Sequence, residues 1–177
     1  LRLIDKYLIF CRLYFFILNN KRTTVMEFGS GWSSLVMALA LTELKKKYSS
    51  TISKLRRNNP FELFIIENEK KYFSISKKRL KRFSKKINIK INYLNTDVVM
   101  TTYKGIISTE YKKLPLCNPD FIYLDGPDQF NIKGDCNGIS IRHIDMMPMN
   151  SDILKIEYFL VPGTIIIVDG RGANSSF

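Results

Sequence analysis

The chain has 177 residues, 45% apolar and 25% charged. That balance fits one domain with its own core and excludes disordered and collagen-like chains. Lys and Arg outnumber Asp and Glu by 28 to 16. The surplus admits an anionic partner such as nucleic acid, but it is spread along the chain like a composition rich in Lys, Asn and Ile, with no basic arm.

The first element is "YLIFCRLYFFIL" (7–18). It is very apolar, interrupted by Arg12, too short to span a bilayer and followed by no small-residue cleavage site. It predicts a helix within residues 1–22 that packs on the domain or on a second copy of the chain. The domain proper is read as 23–177. Cys11, Cys117 and Cys136 are scattered, with no CxxC pair. That argues against a disulfide framework and for a reducing, cytoplasmic setting.

Five runs then read as strands: "TTVMEF" (23–28), "ELFIIE" (62–67), "NIKINYL" (88–94), "DFIYLD" (120–125) and "GTIIIVD" (163–169). Three have continuously apolar middles, as strands covered on both faces of a parallel sheet do. Between them lie helical patterns. Leu35, Val36, Leu39 and Ala40 repeat at helical spacing, with Ser33 or Ser34 as N-cap. The basic run "KKYFSISKKRLKRFSKK" (70–86) places Tyr72, Phe73, Ser76, Leu80 and Phe83 on one face and its charges on the solvated one. "SDILKIEYFL" (151–160) opens at Ser151 and closes at Pro162–Gly163. Strand and helix alternate, so the class is α/β, a mostly parallel sheet with helices on both faces. The connection 126–150 is long enough to be functional or mobile.

Glu27, Glu67, Asp125 and Asp169 all fall at or beside the carboxyl ends of strands. In an open parallel sheet the ligand crevice lies beyond those ends. One acid there is as readily a turn or cap residue, but four make a polar rim. The first of them opens "VMEFGSGWSSL" (25–35), where Gly29 and Gly31 follow the strand directly. No GxxxxGK[ST] run is present, Ser34 stands where a GxGxxG turn has its third glycine, and no acid follows about 20 residues on. Both phosphate-cradling readings fare poorly.

Acid-x-Gly-x-Gly after the first strand and an acid closing "LFIIEN" (63–68) resemble the first and second motifs of the class I S-adenosylmethionine-dependent methyltransferases. The resemblance runs from residue 24 to 170 and implies a Rossmann-like, doubly wound fold. It implies that Glu27, Gly29, Ser30 and Gly31 line the methionine and ribose part of the cofactor and that Glu67 holds the ribose hydroxyls. It also places Asp97 of "LNTDVV" near the adenine. The chemistry agrees, because a sulfonium and an ammonium favour acids where phosphates would be repelled, and one carboxylate accepts from two adjacent hydroxyls. This family normally continues through two more strands, so the chain, which opens at Leu1, reads as a fragment.

Similarity to the small-molecule O-methyltransferases of the catechol, caffeoyl-CoA and macrocin types implies a Mg²⁺ held by Asp125 and Asp169. Gly170 replaces the third ligand, for which Asp128 or Asn174 is the substitute. Without the metal, Asp125 contacts the cofactor's ammonium and Asp169 caps a turn. His143, the single histidine, is the candidate general base, with Asp125 beside it in the catalytic set. Arg142 and Arg171 are candidates for an anionic substrate group, and Trp32 for a ring over the site or in the core. The expectation is methyl transfer to oxygen of a small molecule. The rivals are an RNA methyltransferase, though "LDGPDQF" (124–130) stands where base N-methylation needs (D/N)PPY, and a non-catalytic nucleotide- or protein-binding module.

Overall fold

The computed structural model describes residues 3–128, 130–142 and 149–169, with side chains from Tyr7 onward. Helix α1 (Leu3–Asn19) leads into β1 (Thr24–Phe28), α2 (Trp32–Ile52), β2 (Glu62–Glu67) and α3 (Lys70–Arg82). Then come β3 (Lys90–Asn95), β4 (Val98–Tyr103), β5 (Ile106–Tyr111), β6 (Phe121–Leu124) and the two-residue strands β7 (Ile132–Lys133) and β8 (Met149–Asn150). The short helix α4 (Asp152–Ile156) precedes β9 (Ile165–Val168).

Five strands form one parallel sheet in the order β3-β2-β1-β6-β9. The chain winds outward from β1 to β3, then returns to the other side of β1 with β6, so the topological switch lies between β1 and β6. The five runs expected as strands are these five. The fold is mixed α/β, a parallel sheet flanked by helices, compatible with a Rossmann-like architecture. Among the described residues no helix is long and apolar enough to cross a membrane.

Strand alternation sorts the core into two layers. Val25, Leu63, Ile65, Phe121 and Tyr123 face α1, α2 and α3, where Leu13, Ile17, Met37, Leu41, Leu44 and Leu80 are buried against them. Each such side chain contributes roughly 1.5–3 kcal/mol by leaving water. Met26, Phe28, Phe64, Ile66, Ile122 and Leu124 face the opposite way.

That second face differs from the expected helical cover. Of the described helices α4 alone packs there, beside a second, four-stranded sheet in the order β7-β4-β5-β8. Its centre is the antiparallel β4–β5 hairpin, which turns at Lys104 and Gly105, both with positive φ (50° and 83°). Such a two-residue turn matches the natural strand twist. Val98, Met100 and Tyr111 point from this sheet into the core. Parts of the long connection supply β7 and β8, which extend the hairpin sheet.

At the amino ends of the strands Asp120 is a buried clamp. Its oxygens accept from the Thr23 and Thr24 N–H groups at 2.9–3.0 Å and from the Arg57 guanidinium at 2.6 Å. A buried carboxylate requires such partners. The carboxyl ends, where Glu67, Asp125 and Asp169 lie, are at the opposite edge of the sheet.

Candidate functional site

The turn after β1 is built from two glycines with different reasons to be glycine. Gly29 has φ +96°, and a Cβ there would stand 3.0 Å from the backbone of Asp125 and Gly126. A Cβ on Gly126 would reach within 2.6 Å of the Gly29 nitrogen and 2.8 Å of the Tyr111 hydroxyl. At the switch point, then, the loops after β1 and β6 pack backbone on backbone, and side chains are excluded. Gly31 is different. Its φ of −166° suits any residue, and the nearest atom to a Cβ would be the Ser33 hydroxyl at 3.5 Å, an ordinary contact. Gly31 borders open space.

Glu27 faces α2, not the ligand side. It is fully buried, with Oε1 accepting from the Ser33 hydroxyl and Oε2 from the Ser34 hydroxyl, both at 2.5 Å. The Ser34 oxygen in turn accepts from the Gly31 N–H at 3.2 Å and the Ser76 hydroxyl at 3.3 Å. One hydroxyl thus ties β1, the glycine turn, α2 and α3 together. Gly31 is the N-cap of α2. The two serines expected at that position sit inside the first turn, because their hydroxyls are recruited by Glu27. Burial pushes the Glu27 carboxyl up to about 8, with the nearby Asp125 and Glu67 charges adding to it and the serine bonds opposing it.

Glu67, at the end of β2, does meet the glycine turn. Ser30 donates its hydroxyl to Oε2 at 2.8 Å, and the Glu69 N–H donates to Oε1 at 2.9 Å. Burial raises its pKa, and these donors pull the other way. Glu67, Gly29, Ser30, Tyr72, Asp125 and Asp128 line a cleft of about 220 Å³. Asn68 positions one wall by accepting the Asp128 N–H at 3.1 Å.

A larger cleft, about 710 Å³, opens on the other side of the turn. Gly31 and Ser33 border it, and its walls include Tyr7, Phe10, Trp32, Tyr123, Asp125 and Asp169. Asp125 lines both clefts and joins them. The Tyr123 hydroxyl donates to Asp169 Oδ2 at 2.8 Å. Burial first, then the Asp125 and Asp169 charges, raise the Tyr123 pKa, so the phenol keeps its proton. The Arg79 guanidinium lies 4.1 Å from the Trp32 ring centre and steadies that ring at the rim.

Of the residues predicted from sequence, Gly29, Ser30, Gly31, Glu67, Asp125 and Asp169 therefore converge on two adjoining clefts. Glu27 is behind them as a support. Asp97 lines neither cleft, and its carboxylate takes Lys133 at 2.7 Å and Lys112 at 3.4 Å. Arg142 is exposed and lines neither. His143, Gly170, Arg171 and Asn174 lie outside the described residues.

Asp125 and Asp169 share a cleft as a metal pair would. Among the described residues, however, no three metal-ligating side chains gather, and Asp169 already gives one oxygen to Tyr123. Sequence reasoning missed Tyr123 and the α1 residues Tyr7 and Phe10, all of which read as core. The signal for Tyr123 was its parity, since it shares a sheet face with Phe121, two residues before Asp125. Comparison of the chain with protein-family models, with curated proteins and with solved structures finds no match.

Proposed function

We propose that the chain is an S-adenosylmethionine-dependent methyltransferase acting on a small molecule, at oxygen. The observation that carries this reading is Glu67 at the end of β2, held against Ser30 of the glycine turn at the switch between β1 and β6. Open parallel sheets bind their ligands at such a switch.

The charge of the two clefts narrows the ligand class. Glu67, Asp125, Asp128 and Asp169 line them, and none of their described lining residues is Lys, Arg or His. A phosphate-bearing dinucleotide would meet repulsion there, whereas a nucleoside carrying a sulfonium and an ammonium meets attraction. In this reading Glu67 accepts from both ribose hydroxyls, with Ser30 and the Glu69 N–H fixing its plane. Ser30, Asp125 and the turn backbone flank the amino-acid portion.

When bound, the cofactor would supply an electrophilic methyl group, with its sulfur as the leaving group and the hydroxyl proton of the acceptor passing to a base. The chain's own contribution is alignment, since Trp32 and Tyr123 wall the adjoining cleft and present the acceptor oxygen to the cofactor cleft through the gap at Asp125. In this reading His143 is the base that takes the hydroxyl proton. Asp97 and Glu27 have no contact role in this reading.

Calorimetry with S-adenosylmethionine and S-adenosylhomocysteine tests the proposal. Wild type binds both, and Glu67→Gln weakens both by about 10- to 100-fold, the cost of losing a charged acceptor to two hydroxyls. Equal affinity in wild type and variant, or no binding to wild type, overturns it.

A further inference from the structure

The acceptor's chemistry is legible in the larger cleft, and the inference rests on the methyl-transfer reading above. At about 710 Å³ the space is that of a whole small molecule. Tyr7, Phe10, Trp32 and Tyr123 supply aromatic wall from three separate elements, α1, the start of α2 and β6. At its polar end is Asp169. One of its oxygens is fixed by the Tyr123 hydroxyl, and among the described residues nothing donates to the other.

The contrast with the rest of the molecule is sharp. The chain carries 28 Lys and Arg residues, yet no described residue lining this cleft is basic. Arg79 lies on the Trp32 ring and is not among the walls. Aromatic faces attract cations and flat rings, and a carboxylate within an aromatic wall favours an ammonium further. An anionic substrate, the expectation attached to Arg142 and Arg171, finds no described partner here.

We infer that the acceptor is a flat-ringed small molecule bearing a protonated amine, with the ring on the Trp32 wall and the ammonium on Asp169. Asp169 is thus a specificity-determining residue, and the oxygen to be methylated lies on the ring side, toward Asp125 and the cofactor cleft.

Trp32 is the chain's single tryptophan, so its fluorescence, excited on the red edge of its band, reports on this cleft alone. Three probes share one ring and chain and differ in charge: phenethylamine, phenethyl alcohol and hydrocinnamate. The expected result is quenching by the amine with an affinity about tenfold above the alcohol, and hydrocinnamate weaker still. Asp169→Asn should lower amine affinity about tenfold and leave the alcohol within about twofold. Equal binding of the three probes by wild type overturns the inference without recourse to any variant. So does unchanged amine binding in Asp169→Asn, or silence with all three.

Repeating the amine titration with saturating S-adenosylhomocysteine separates the two proposals. Undiminished amine binding places it in the acceptor cleft, and displacement refutes that placement. Failure of S-adenosylhomocysteine to bind at all removes the methyl-transfer reading, while amine selectivity and its loss in Asp169→Asn still decide the ligand class.

Discussion

Glu27 offers a quantitative test of the site's construction, through Glu27→Gln. The unfolded carboxyl titrates near 4.5 and the buried one near 8. The folded state therefore keeps the proton over a range where the unfolded state has lost it. Such a group's stabilisation is complete below the unfolded value and is lost as pH rises toward the folded one. At about 1.4 kcal/mol per decade the full span is roughly 5 kcal/mol, of which about 2 kcal/mol falls between about pH 6 and about pH 8. Asp152, raised by burial to about 7, contributes a slope of the same sign, so wild type alone does not isolate Glu27. Gln keeps the shape and cannot ionise. Urea unfolding at both pH values should show wild type losing about 2 kcal/mol more than Glu27→Gln. Cofactor affinity in the folded variant should stay within a few-fold of wild type, unlike Glu67→Gln. Parallel pH profiles would refute the reasoning. A steeper loss in the variant would mean that the positive end of α2 outweighs burial.

The two remaining predictions concern the glycines. Gly126→Ala drives a methyl into the Gly29 backbone and should cost about 1–3 kcal/mol, seen as a lowered midpoint of thermal unfolding. Unchanged stability would show that the two loops do not touch. Gly31→Ala meets the Ser33 hydroxyl at 3.5 Å, an ordinary contact, and should alter stability by less than about 1 kcal/mol. Its methyl stands at the border of the larger cleft, so amine binding, followed by Trp32 fluorescence, should weaken by about tenfold. Retention of the amine affinity would remove Gly31 from the site.

The strands of the parallel sheet were legible from runs of β-branched and aromatic residues, and β1, β2 and β6, buried almost throughout, also left continuously apolar middles. The β4–β5 hairpin was not. Its strands are half-exposed, and "DVVMTTYKGIISTEY" (97–111) carries β-branched and aromatic residues on both sides of the Lys104–Gly105 turn, an antiparallel unit that strand–helix alternation does not provide for. In the site, the convergence of Glu67, Ser30 and Asp125 follows from their places at strand ends. Glu27 shares its parity with Val25, which turns it toward α2 and away from the clefts. Of the aromatic wall, Trp32 was a candidate ring over the site or in the core, whereas Tyr7, Phe10 and Tyr123 join it only through tertiary packing that no sequence spacing shows.

The union of β1 with β6 joins segments far apart in the chain, as the Thr23–Asp120 contact, 97 residues in separation, makes plain. The hairpin β4–β5 closes over two residues and gains its contacts cheaply, whereas the β1–β6 seam must first overcome the closure entropy of the long intervening segment. That seam is where Gly29 meets Gly126, so both clefts come into being only when it zips shut. A molecule lodged there finds its site in the native chain and none in the unfolded one, so its presence raises the free energy of unfolding by mass action.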